Sequence, residues 1–163
     1  MSHFDFEGIE DAKVFDRGAY LPPDGIYALR VIRMLVKQTR RAGPAFIAEH
    51  EVIYSTHPDI QPGAKRSWFQ KLQDKEVAYP AIKEYMGALL AIDRDDKDAW
   101  KEFEGQIRDI LNEAANFEGK PEDHPLHGET VKVTTWQKTT KSGNEFTVHD
   151  WEIWSEDSGW AHG

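Results

Sequence analysis

Lys65, Arg66 and Lys71 bracket the adjacent rings of Trp68 and Phe69, and Lys138 and Lys141 follow closely on Trp136. A third group of cations, Lys37, Arg40 and Arg41, stands between two apolar runs. Cations beside flat rings suit a ligand that offers both a line of anions and exposed aromatic faces. Single-stranded nucleic acid is such a ligand, with phosphates for the cations and base faces for the rings. Stacking contributes about 1–3 kcal/mol per base, so two or three exposed rings suffice for sequence-tolerant binding. Each neutralised phosphate releases counterions and steepens the dependence on salt. Trp68 and Trp136 are the expected stacking platforms; Phe46, His50 and Tyr54 read as sharing one strand face and are second-tier stacking candidates.

Other chemistries find little support. There is no cysteine, which excludes disulfides, thiolate metal sites and cysteine nucleophiles. Neither a glycine-rich phosphate loop nor a Gly-x-Ser-x-Gly elbow occurs. His124-Pro125-Leu126-His127 lacks the spacing of a helical metal site and reads as a loop with two solvated imidazoles. His149 and Asp150 adjoin on a strand, where neighbours point to opposite faces, so one cannot orient the other. The acidic run from Asp93 to Asp98 lacks the glycine and closing glutamate of a calcium loop and reads as a connection and helix cap. The expectation is a protein that is not an enzyme and needs no cofactor or metal.

The net charge of −9 opposes a polyanionic partner, but the charge is unevenly spread. Residues 26–75 carry nine basic and four acidic residues, while residues 93–123 carry five and eleven. A basic block sits in an acidic chain, and for steering a ligand the local potential outweighs the total.

The elements that must position these groups follow from the pattern. Residues 1–24 form an acidic arm with Phe4, Phe6, Ile9, Val14 and Phe15, expected to pack on the domain. It ends at the turn signal Leu21-Pro22-Pro23-Asp24-Gly25. Residues 26–36 are rich in β-branched and apolar residues and read as a strand buried on both faces over much of its length. After a loop over 38–44, residues 45–54 alternate as a second strand, with Glu49 and Glu51 on one side. Residues 64–70 give a short third strand. The period then changes. Pro80 suits the first turn of a helix, and Ile82, Tyr85, Met86, Leu89 and Leu90 recur at helical spacing. A second helix starts at the N-cap Asp96 and runs to about Phe117, with a stripe of Trp100, Phe103, Ile107, Ile110, Leu111 and Ala114. Beyond a linker over 119–128, two strands over 130–136 and 145–154 flank a hairpin turn. Residues 155–163 read as a short, mobile acidic tail.

The fold class is therefore mainly β with a helical insertion over 78–118, an α+β chain. Five antiparallel strands with helices between the third and fourth match a five-stranded OB-fold barrel over 25–154, with a mixed sheet flanked by helices as the rival. In that barrel the basic loops border the binding face. Packing competes for every ring: Trp68 and Phe69 face opposite ways, so at least one is core, and Trp136, Trp151 and Trp154 could close a barrel end. Arg40 and Arg41 equally suit a solvated loop.

In layout the chain resembles phage-encoded single-stranded DNA-binding proteins with an OB-fold. The resemblance runs from Leu21 to Trp154. It rests on Leu21-Pro22-Pro23-Asp24-Gly25-Ile26-Tyr27, Ala42-Gly43-Pro44-Ala45-Phe46-Ile47, Gly63-Ala64-Lys65-Arg66-Ser67-Trp68 and Thr140-Lys141-Ser142-Gly143-Asn144-Glu145-Phe146, in that order. It implies sequence-tolerant protection of single-stranded DNA in phage replication, recombination or repair, in the host cytoplasm and without a membrane. Replication or recombination proteins are the implied partners, and the enlarged helical insertion suits homodimerisation. The tail, with Glu156, Asp157 and Trp160, is a sparse version of the acidic tails by which such proteins recruit enzymes. The alternative is a non-enzymatic protein-interaction or virion component that uses the same barrel as scaffold.

Overall fold

A computed structural model describes residues 20–40 and 43–154. The expected packing of the arm, the character of the tail and the placement of Arg41 lie outside the described residues. The described chain runs β1 (Gly25–Thr39), β2 (Gly43–Ser55), β3 (Lys65–Lys71), α1 (Lys75–Leu89), α2 (Lys97–Ala115), a short 3-10 turn (Pro121–Asp123), β4 (Thr130–Thr139) and β5 (Glu145–Glu152). The strands form one antiparallel sheet in the order β3-β2-β1-β4-β5. The α+β class and the place of the helices, between β3 and β4, agree with expectation. No ladder joins β3 to β5 among the described residues, so the sheet is open.

Both hairpins are longer than their sequences suggest. β1 continues through Lys37 to Thr39, and β2 already starts at Gly43, whose φ of 67° is one that glycine adopts without steric cost. β4 likewise continues from Trp136 to Thr139. Exposed polar residues extend a strand wherever the ladder supplies their backbone partners. β1 is buried on both faces only near its start, from Tyr27 to Leu29; beyond that, Arg30, Arg33 and Val36 are exposed. Its pairing with β2 slips twice, between Ala28 and Leu29 and between Val31 and Arg33. Such bulges bend a strand and strengthen its twist, which curls the sheet.

α1 begins earlier than its proline implies. Asp74 is the N-cap, so Pro80 falls inside the helix rather than in its first turn. The helix survives because its stripe of Ala78, Ile82, Tyr85, Met86 and Leu89 is buried in the core, and that burial outweighs one lost backbone bond. α2 starts where expected, with the Asp96 carboxylate accepting from the Ala99 N–H at 3.1 Å. Where the helices meet, Gly87 lies against the Trp100 ring: a Cβ there would sit 2.5 Å from the indole, closer than packing permits.

The core lies on the concave side of the sheet. Tyr27, Leu29, Val31, Met34, Val52, Val131 and Val133 are fully buried, and α1 closes the space over them. Trp68 of β3 and Trp151 of β5 come within 4.9 Å, ring centre to ring centre, so the two edge strands meet through side chains rather than backbone. The linker after α2 is fixed as well. His124, expected in solvent, is buried: its Nδ1 accepts from the Leu126 N–H at 3.1 Å, and its Nε2 lies 2.8 Å from the Ala114 carbonyl near the end of α2. The Met34 N–H of β1 also points at Nε2, from 3.2 Å, so the imidazole ties the linker both to β1 and to a carbonyl that the helix end leaves unpaired. His127 is exposed, with Nδ1 2.9 Å from the Ile32 carbonyl.

Candidate functional site

The register decides which groups can reach a ligand. Across β1, β2 and β3 the partners Met34, Ala48 and Trp68 form one row and Leu35, Ile47 and Phe69 the next. The first row is buried and the second only half-buried, so Trp68 points in and Phe69 out. The same parity puts Lys37, Ala45 and Lys71 in one outer row and Arg30, Glu51 and Lys65 in another. Between them, Arg33 is bound by Glu49 at 3.0 Å. The outer face of β1–β3 is thus an apolar strip, Leu35-Ile47-Phe69, with the exposed cations Lys37 and Lys71 at one end and Arg30 and Lys65 at the other.

Several expected contacts are corrected by this register. Trp68 is 4% exposed and wedged among Tyr85, Trp151, Phe46 and His149, so it offers no face for stacking. Phe46 and His50 share its inward side and are buried for the same reason. Tyr54 does not share their face. It pairs with Ala28 just before the slip that pairs Leu29 with Val52, so one extra residue in β2 turns Tyr54 outward, half-buried. Arg66 pairs with His50 and so points inward as well. Its Nη1 donates to the Lys65 carbonyl at 2.7 Å, and its Nε is buried with no partner among the described residues, so only part of the guanidinium is open to an anion.

A second cluster stands on the β4–β5 hairpin. Trp136 pairs with Val148, and Lys138 with Phe146 in the next row out, all on the outer face. Trp136 is 40% and Phe146 45% exposed, which is unusual for rings of this size, and diagonal neighbours on antiparallel strands lie within reach of each other. Lys141 is exposed in the turn beyond, where Gly143 adopts φ 89°. Nearer the base of the hairpin, Lys132 is engaged by Glu152 at 3.4 Å and points away from this role. Arg40 is exposed where β1 ends.

Of the expected residues, then, Lys37, Lys65, Lys71, Trp136, Lys138 and Lys141 are on the outside, together with Arg40. Phe146 and Arg30, for which the sequence suggests no role, join them, as does Phe69 in place of its neighbour Trp68. Parity in β3 ties Phe69 to the face opposite Trp68, but which of the two faces out depends on the pairing with β2. Among the described residues no three of His, Asp and Glu come together in a way that could hold a metal ion, and no helix is long and apolar enough to cross a membrane.

Beneath the outer face lies a buried polar core. His50 Nε2 and Tyr85 Oη are 2.7 Å apart, and His149 stacks on Trp151 at 5.8 Å. Burial pushes the His50 imidazole down to about 3, against a hydrogen bond to the Arg66 backbone that works the other way. Burial also brings His149 down to about 4, and raises the Tyr85 hydroxyl well above its ordinary value. Both imidazoles are therefore neutral when folded, whereas the unfolded chain takes up their protons below about pH 6.5. The sign follows: stability is full above pH 6.5 and falls as pH drops, levelling off only near the folded values. At pH 5 each histidine costs about 2 kcal/mol relative to pH 7. Urea melts at pH 7 and pH 5 check this, and a midpoint that does not fall at pH 5 refutes it.

The chain matches no protein-family model and no curated protein.

Proposed function

We propose that this protein binds single-stranded DNA with little sequence preference, across the outer face of its sheet. The observation that carries the reading is the pair of exposed rings on the β4–β5 hairpin, Trp136 and Phe146, with Lys138 and Lys141 beside them. Large rings left 40–45% in water beside cations meet the two needs of a single strand, stacking and charge. Phe69 and the cations Lys37, Lys65 and Lys71 extend the same chemistry over β1–β3. The strand order, the helices between β3 and β4 and the curl that brings Trp68 to Trp151 support an OB-fold, a barrel whose second and third strands and two hairpin loops take oligonucleotides. The acidic face of α2 then serves to keep the polyanion off the opposite side.

The role in this reading is protection of single-stranded intermediates in replication, recombination or repair of a phage genome. The test is titration of the full chain with an unstructured oligothymidylate, followed by tryptophan fluorescence over a range of salt. Each phosphate contact on a single strand contributes about 0.7 to the slope of log affinity against log salt. Replacing Lys37, Lys65 and Lys71 together by alanine is expected to flatten that slope by about 2. Absence of binding at low salt, or a slope unchanged by the triple substitution, overturns the assignment; equal binding of duplex DNA or RNA overturns the choice of ligand.

A further inference from the structure

On the opposite side of the β1–β2 hairpin, a groove of about 640 Å³ opens between that hairpin and the two helices. Its floor is Phe46, Leu72 and Ile82, and Val36 and Tyr79 form exposed walls. α2 supplies the remaining side as two parallel rows. Ile107, Leu111 and Ala115 make an apolar row and Arg108, Asn112 and Asn116 a polar one, both at four-residue spacing. Four residues of helix rise about 6 Å, close to the roughly 6.6 Å two-residue repeat of an extended chain. An extended peptide laid along α2 therefore meets an apolar position with every second side chain, with Asn112 in the row beside it; the Asn116 amide donates to the Asn112 carbonyl at 2.8 Å.

The charge of the lining selects further. α2 carries five carboxylates, at Asp98, Glu102, Glu104, Asp109 and Glu113, yet none lines the groove. The two charged residues that do line it are Lys83 and Arg108. Lys83 is paired with Glu104, and Arg108 has no ion-pair partner among the described residues. What fits is an extended segment whose apolar side chains alternate with acidic ones. This chain contains one: Phe4-Asp5-Phe6-Glu7, outside the described residues. From Glu7 to Leu21 the chain can extend over roughly 45 Å, more than the roughly 36 Å from Gly25 to Val36 along β1, so the segment can reach the groove of its own domain.

We propose that this groove is the docking site of the chain's own Phe4-Asp5-Phe6-Glu7 segment, with Phe4 and Phe6 over the floor and the carboxylates at the rim by Arg108. The experiment uses the full chain bearing Phe4→Ser and Phe6→Ser, and a fluorescent peptide of residues 2–10 as the probe. The peptide is expected to bind the double variant at least tenfold more tightly than the unaltered chain, whose own segment competes at high effective concentration. Adding Arg108→Glu, a change at an exposed position, is expected to weaken that binding about tenfold. A peptide with Asn and Gln in place of Asp5 and Glu7 is expected to lose a similar factor. Equal binding to both chains, or no response to Arg108→Glu, overturns the proposal. Neither outcome bears on DNA binding, which uses the other face.

Discussion

Trp68→Ala is expected to lower the stability of the fold by about 3–5 kcal/mol, the range for removing a large buried ring. The indole sits in a nest formed by β2, α1 and β5, with Tyr85 and Trp151 each 4.9 Å away and Phe46 at 6.2 Å. The nest is assembled from three elements and cannot collapse onto the vacated volume, which places the loss toward the upper part of that range. A denaturant melt measures it, and Trp68→Phe should recover a good part. A Trp68→Ala protein that keeps full stability and loses only DNA binding would show that the indole works on the outside after all.

The opposite profile is expected of Trp136→Ala combined with Phe146→Ala. Both rings are substantially exposed, so their removal should change stability by no more than about 0.5 kcal/mol. If each stacks on one base, the pair accounts for about 2–6 kcal/mol of binding, and affinity for oligothymidylate falls at least about thirtyfold. Titrations at one fixed salt concentration measure it, because the stacking contribution is then read against a constant counterion background. The salt slope itself should stay the same, since no charge is removed. Loss of affinity with an altered slope, or no loss, rules out these rings as the stacking platform. Together the two variants separate an indole that holds the sheet edges together from one that meets the ligand.

The elements were largely legible because their periods are clear: the stripe from Ala78 to Leu89 belongs to a helix whatever surrounds it. What sequence alone could not supply was parity. In β2 the alternation from Phe46 through His50 to Val52 continues unbroken to Tyr54 on paper, but one slipped residue in the ladder with β1 sends Tyr54 to the other face. A bulge of this kind leaves no local signature in residues 52–54. The choice between Trp68 and Phe69 failed for a related reason: both suit a strand, and only the row through Met34 and Ala48 fixes which is inside. His124 was misread because a proline-flanked loop normally stays in water, whereas here its imidazole finds an unpaired helix carbonyl to satisfy. The cations fared better, since long charged side chains stay at the surface whichever face bears them, and among the described ones only Arg66 is drawn inward.

Tyr85 reaches from α1 into the space between His50, Trp68 and Trp151. The helical stretch is therefore a stopper in the mouth of the curled sheet and not a decoration upon it. A trimmed variant with a short connector from β3 to β4 would uncork that mouth, leaving an imidazole without its phenolic partner and two indoles open to water. For this chain the minimal unit includes its helix, and homologous designs that strip it down to five strands will need a new plug before they need anything else.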